Sequence, residues 1–83
     1  MSEKSQRRVQ SVEVAADILE SLIASGTRKS LKEIASTAQM SSAKVFPYLI
    51  SLVRAGLVSK DEQSGLYSAG SLSQELGILG LHY

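Results

Sequence analysis

Ser30-Leu31-Lys32-Glu33-Ile34-Ala35-Ser36-Thr37-Ala38-Gln39-Met40-Ser41-Ser42-Ala43-Lys44-Val45-Phe46-Pro47-Tyr48-Leu49-Ile50-Ser51-Leu52-Val53-Arg54-Ala55-Gly56 is the stretch that decides the fold. Ser30 followed three residues later by Glu33 is a capping-box pattern, so a helix opens there. Ile34, Ala35 and Ala38 give it an apolar side, and it spans about 31–38. Gln39-Met40-Ser41 leaves room only for a tight turn. Ser41 or Ser42 then caps a second helix, about 42–55, whose stripe is Val45, Leu49, Leu52 and Val53. Gly56 is its natural stop, because glycine takes the left-handed conformation that closes a helix. Pro47 lies inside this helix, deletes the amide that would bond the carbonyl of Ala43, and disfavours helical geometry at Phe46.

Upstream, Val12, Ala15, Ala16, Leu19, Leu22 and Ile23 recur at helical spacing, with Ser11 as N-cap, Glu13 in the first turn and Gly26 as stop. They predict a helix over about 11–25. Downstream, Leu57-Val58-Ser59-Lys60 and Leu66-Tyr67-Ser68-Ala69 alternate like strands around Asp61-Glu62-Gln63-Ser64-Gly65, a turn-forming run, and so predict a hairpin. After Gly70, Ser71 can cap a last segment carrying Leu72, Leu76, Ile78, Leu79 and Leu81, which Gly77 and Gly80 weaken as a free helix.

Eighty-three residues make one small domain with room for a single core. There is no cysteine, hence no disulfide or thiolate metal site, which fits a reducing, cytoplasmic setting. The hydrophobic fraction of 43% argues against disorder. No apolar run reaches the roughly 18 residues of a membrane span, and the start lacks a signal peptide's apolar core. The formal charge of +1 hides a segregation. Residues 27–60 carry Arg28, Lys29, Lys32, Lys44, Arg54 and Lys60 against Glu33 alone, whereas 11–26 and 61–83 carry only acids. Residues 1–10, with Lys4, Arg7 and Arg8 against Glu3, form a basic arm expected to be flexible. A basic middle third invites an anionic partner.

The element order is helix, helix, tight turn, helix, two-stranded hairpin, helix. It predicts a mainly α fold with a small β-hairpin, a winged helix-turn-helix: three-helix core, two-stranded wing and a C-terminal helix. In such a unit the third helix enters the major groove, the second crosses the backbone, and arm and wing reach flanking phosphates or the minor groove.

Val9-Gln10-Ser11-Val12-Glu13, Leu31-Lys32-Glu33-Ile34-Ala35, Leu52-Val53-Arg54-Ala55-Gly56-Leu57-Val58, Gly65-Leu66-Tyr67 and Gly70 resemble the N-terminal domain of the isocitrate-lyase-regulator (IclR) family of bacterial transcription factors over about residues 9–81. The resemblance implies a domain that dimerises and binds a double-stranded operator. It also implies a C-terminal effector-binding domain beyond a linker helix, and the chain stops where that linker would run. The domains expected are the arm at 1–10, the winged helix-turn-helix at 11–70 and the start of a linker or dimerisation helix at 71–83. Three positions depart from the family pattern: Pro47 stands where a basic residue is usual, Leu66 and Ser68 where the wing is often basic, and Val14 where an arginine is usual.

At about 100° per residue, Ala43, Pro47, Ile50 and Arg54 lie opposite the Val45–Leu49–Leu52 stripe, flanked by Lys44 and Ser51 on one side and Phe46 on the other. The first turn of such a helix makes most base contacts. The groove candidates are therefore Ser41, Ser42, Ala43, Lys44, Phe46 and Pro47. Ala43 or Phe46 suits a thymine methyl, and Lys44 a guanine edge or a phosphate. Ser30 and the amides opening the second helix suit a phosphate, with Arg28 and Lys29 as charged neighbours. Arg7 and Arg8 in the arm and Lys60 in the wing complete the DNA-contact set. Tyr48 and Tyr67 are assigned to the core. His82 is alone near the terminus, and Asp17 with Glu13 or Glu20 is a solvated face, so no catalytic, metal or cofactor site is expected. The competing reading is a protein-interaction winged helix that keeps the fold and has lost DNA binding.

Overall fold

Helix α1 spans Gln10–Ile23, α2 Leu31–Ala38, α3 Ser42–Arg54 and α4 Ser71–Gly80; strands β1, Val58–Lys60, and β2, Tyr67–Ala69, form an antiparallel hairpin. These elements come from a computed structural model that describes residues 7–24 and 26–82. Residues 1–6 of the basic arm, Ser25, and Tyr83 at the end of the expected linker segment lie outside the described residues. The order of elements is the one the sequence predicts, with small shifts at the boundaries.

α1 begins one residue before Ser11. Val9 is the N-cap and contributes no side-chain hydrogen bond. Arg8 instead reaches forward to Glu13 through Nε at 2.8 Å and through a second guanidinium contact. The helix ends at Ile23, and Gly26 beyond it has φ +72°, as a stop glycine should.

The packing face of α1 differs from the expected stripe. Ile18, Ser21 and Leu22 are buried, with Val14, Ala15 and Leu19 packed at their edges. Val12 and Ile23 stay 65% and 71% exposed. At 100° per residue they lie more than a quarter-turn away from Ile18. The helix thus has two apolar stripes, and the approach of α2 buries the one centred on Ile18. Ser21 can enter the core because its hydroxyl donates to the carbonyl of Ile18 at 2.6 Å.

The capping box of α2 is present in both directions: Ser30 Oγ accepts from the amide of Glu33 at 3.2 Å, and Glu33 Oε1 accepts from the amide of Ser30 at 2.9 Å. The turn to α3 is closed by Gln39, which has φ +58°. The amide of Met40 bonds the carbonyl of Ala35 and that of Gln39 the carbonyl of Ser36, a Schellman closure usually built on glycine. α3 closes in the same way with Gly56 at φ +83°: Leu57 bonds back to Leu52 and Gly56 to Val53.

The core comprises Ile18, Leu22, Ile34, Ala35, Val45, Leu49, Leu52, Val58 and Tyr67. Tyr67 is buried and Tyr48 packs against the cluster, so both tyrosines serve the core. In the hairpin Val58 pairs with Ala69, Ser59 with Ser68 and Lys60 with Tyr67. Lys29 adds a third piece of sheet, exchanging two backbone hydrogen bonds with Tyr67 at 2.8 and 3.1 Å. This bridge ties the loop before α2 to the wing.

α4 also starts differently. Gly70, not Ser71, is its N-cap, without a side-chain bond. Glycine is required at 70 by a close approach, since a Cβ there would lie 2.3 Å from the carbonyl oxygen of Gly56. α4 is held beside the start of β1 through Ser73, whose hydroxyl donates at 2.5 Å to the carbonyl of Leu57, the residue before that strand. It buries none of its residues.

Candidate nucleic-acid interface

The face of α3 turned away from the core is set by the burial of Val45, Leu49 and Leu52. Ser42, Ala43, Lys44, Phe46, Pro47, Ile50, Ser51 and Arg54 are all exposed, as the angular arithmetic predicts. Ser41 caps the helix, accepting from the amide of Lys44 at 3.1 Å. Its hydroxyl still has a hydrogen to donate.

Pro47 is the sixth helical residue and therefore lies past the first turn. The helix continues through it, with the carbonyl of Ala43 deprived of its usual amide donor.

The starts of α2 and α3 differ electrostatically. α3 has no acid in its first turn. α2 has Glu33, whose carboxylate already occupies the amide of Ser30. That backbone hydrogen bond, followed by the Ser30 side-chain contact and the charge of Lys29, holds the Glu33 carboxyl below the ordinary carboxylate range. The expectation that Ser30 and its helix start hold a phosphate meets this occupant. A phosphate there would face a like charge at a donor already in use.

Lys29 departs furthest from its expected place. It is only 6% exposed, and its Nζ donates to the carbonyl of Ser21 at 2.6 Å. An ammonium at the end of α1 satisfies one of the terminal carbonyls and the negative end of the helix dipole. This cation is committed to the fold and does not face outward. The sheet bridge to Tyr67 draws it inward, a long-range contact with no local signal in Thr27-Arg28-Lys29.

The remaining basic candidates stay at the surface. Arg7 is exposed, and Arg8 is engaged with Glu13. Arg28 lies 3.8 Å from Asp61, a long and solvated ion pair. Asp61 organises the wing turn: it accepts from the Ser64 hydroxyl at 2.8 Å and the Gln63 amide at 3.2 Å. The Ser64 bond first, and the Gln63 amide next, hold its carboxyl low. Lys60 projects from β1 with its ammonium 5.8 Å from the Tyr67 ring centroid. Phe46, Ile50, Arg54, Lys60 and Glu62 line a groove between α3 and the wing.

The structure thus gathers Ser41, Ser42, Ala43, Lys44, Phe46 and Pro47 on one surface, with Lys60 across a groove from Phe46. It sets Arg7 and Arg8 at the start of α1, and Ser30 and Lys29 in structural roles. Ile50 and Arg54 belong to the same surface. Their angles signal this, but emphasis on the first turn passes over them. Among the described residues no group of His, Asp or Glu side chains is placed to hold a metal, and no helix is long and apolar enough to cross a membrane.

The family model of the IclR helix-turn-helix domain matches residues 11–62. Among solved structures, HmgR of Pseudomonas aeruginosa is 32% identical with a TM-score of 0.84, covering 89% of this chain and 30% of that one. An IclR transcriptional regulator from Alicyclobacillus acidocaldarius is 33% identical with a TM-score of 0.76, covering 87% and 29%. The O-methyltransferase NcsB1 from neocarzinostatin biosynthesis is 28% identical with a TM-score of 0.60, covering 88% and 24%. No curated protein matches the sequence. The chain spans less than a third of the length of these relatives. The family model covers more than half of the chain, across its three core helices, and the chain belongs to the IclR helix-turn-helix family.

Proposed function

We propose that the chain is the operator-reading domain of a cytoplasmic bacterial transcriptional regulator, binding double-stranded DNA with α3 in the major groove of one half-site. The observation that carries this reading is the exposed first half of α3, capped by Ser41, free of acid in its first turn and bearing Lys44. Amides and a cation at that end suit phosphates at the groove edge, while Ala43, Phe46 and Pro47 face the bases. Arg7, Arg28 and Lys60 supply the outer electrostatic contacts. Lys29 and Ser30 act indirectly, holding the wing and α2 in place. The role is regulatory binding, not catalysis.

In this reading α4 is the start of a linker that brings two copies together on a palindrome. Leu72, Leu76 and Leu79 are exposed on it and offer the apolar surface for that contact. An effector domain would follow it.

A gel-shift titration with generic duplex DNA at low salt tests the reading. Binding is expected. Its log–log salt slope should be shallower by about 0.9 in Lys44→Ala, the value for one phosphate no longer neutralised. Equal slopes would remove Lys44 from the DNA-facing set, and absence of binding at low salt would refute the proposal.

The second reading is a protein-docking winged helix. It is favoured by the apolar Phe46, Pro47 and Ile50 on the exposed face of α3, and by the occurrence of a similar fold within an O-methyltransferase chain. The same titration separates the two.

A further inference from the structure

The geometry points to a base-reading surface that recognises thymine through its C5-methyl group, with Phe46 as the specificity-determining residue and an A·T-rich core to the half-site. This inference rests on the DNA-binding reading above and adds the chemistry of the bases read.

The outward surface of α3 is unusual for its purpose. Ala43, Phe46, Pro47 and Ile50 follow one another along it, and Phe46 and Ile50 are 44% and 46% exposed. The side chains that read bases bidentately are Arg or Lys for guanine and Asn or Gln for adenine. Before Arg54 in its last turn, α3 contains no Arg, Asn, Gln, Asp or Glu. Its one cation there, Lys44, stands at the edge of the surface opposite Phe46.

Base edges in the major groove present donors, acceptors and one apolar group, the thymine methyl. An apolar side chain set against a donor or acceptor strips it of water without replacing the hydrogen bond. Set against a thymine methyl, it buries two apolar surfaces and strands no polar atom. The surface therefore discriminates in one direction, towards thymine.

Charge decides between DNA and an apolar protein as the occupant. Lys44 borders the apolar strip on one side, Lys60 on the wing side, and Arg54 stands at its far end. Glu62 is the acid in the wing-side wall. Cations on both margins of an apolar strip match a groove floor of methyl groups between two rows of phosphates.

The test uses the full chain and a random duplex pool, from which bound sequences are selected at low salt. The selected duplex is then made with uracil at one thymine at a time. Uracil keeps every hydrogen-bonding edge and lacks only the methyl. Affinity should fall about fourfold at each contacted thymine, the factor for one methyl group left in water. In Phe46→Ala, an exposed substitution whose folding is checked by circular dichroism, the penalty should vanish at the position Phe46 reads. Equal affinities for the thymine and uracil duplexes overturn the inference and leave DNA binding standing. A penalty that persists unchanged in Phe46→Ala overturns the assignment to Phe46. No selected sequence and no shift at low salt overturn the DNA-binding reading, and this inference with it.

Discussion

Two residues of the same type can stand in the same basic segment and have opposite duties. Lys29 is 6% exposed with its ammonium on the carbonyl of Ser21, while Lys44 is exposed at the surface. Lys29→Met keeps the length of the stem and removes the donor. It should destabilise the fold by about 1–3 kcal/mol, the range for stranding one partner of a buried hydrogen bond. Chemical denaturation measures this, and DNA affinity of the folded fraction should be unchanged. A loss of affinity without a loss of stability would return Lys29 to the DNA-facing surface. Nothing local in the sequence distinguishes these two lysines. The sheet bridge between Lys29 and Tyr67, which connects residues far apart in the chain, makes the distinction.

Among the elements, caps and breakers are the readable features. The capping box of α2 stands as its spacing predicts. The folded carboxyl of Glu33 is held below its ordinary value, chiefly by the backbone amide of Ser30. The folded state thus takes up this proton less readily than the unfolded chain. Its stabilisation is complete above the unfolded carboxylate range and is lost as pH falls through the lower folded value. Thermal melts across that window should show wild type and Glu33→Gln converging at the acid end. A gap that stays constant with pH would show that the charge plays no part. In α3, Pro47 lies past the first turn, where a missing amide has a cost. Pro47→Arg restores the donor to the Ala43 carbonyl and adds a cation to the exposed surface. It should raise stability by about 1–3 kcal/mol and tighten binding to generic duplex DNA. Loss of both would mean that the proline is accommodated and used.

Across the whole domain, the core is confined to α1–α3 and the hairpin, and α4 stands off it. Leu76 and Leu79 are more than half exposed there. If α4 pairs two copies, the chain should sediment as a concentration-dependent dimer, and Leu76→Glu with Leu79→Glu should leave a folded monomer. That variant should keep affinity for a half-site and lose the advantage of a palindrome. A wild type that stays monomeric at every concentration would sink the dimer. Val12 and Ile23 on α1 are also exposed, so apolar content in this chain exceeds what one copy buries.

The elements follow from local signals in the chain. Helical periodicity, the Ser30–Glu33 box, the stops at Gly26 and Gly56 and the alternation around residues 61–65 each act within a turn or two of the backbone. The exposed side of α3 is legible in the same way, because a stripe as regular as Val45, Leu49 and Leu52 leaves one opposite surface. Packing between distant segments resolves what local signals leave degenerate. α1 has two apolar stripes, and only the approach of Ile34 and Ala35 selects the one centred on Ile18. The basic segment has several cations, and only the bridge to Tyr67 takes Lys29 inward. Gly70 follows a strand, and only the backbone of Gly56, packed against it, forbids a side chain there. Periodicity shows that a face is apolar. Which apolar face becomes core, and which cation is left at the surface, depends on partners far along the chain.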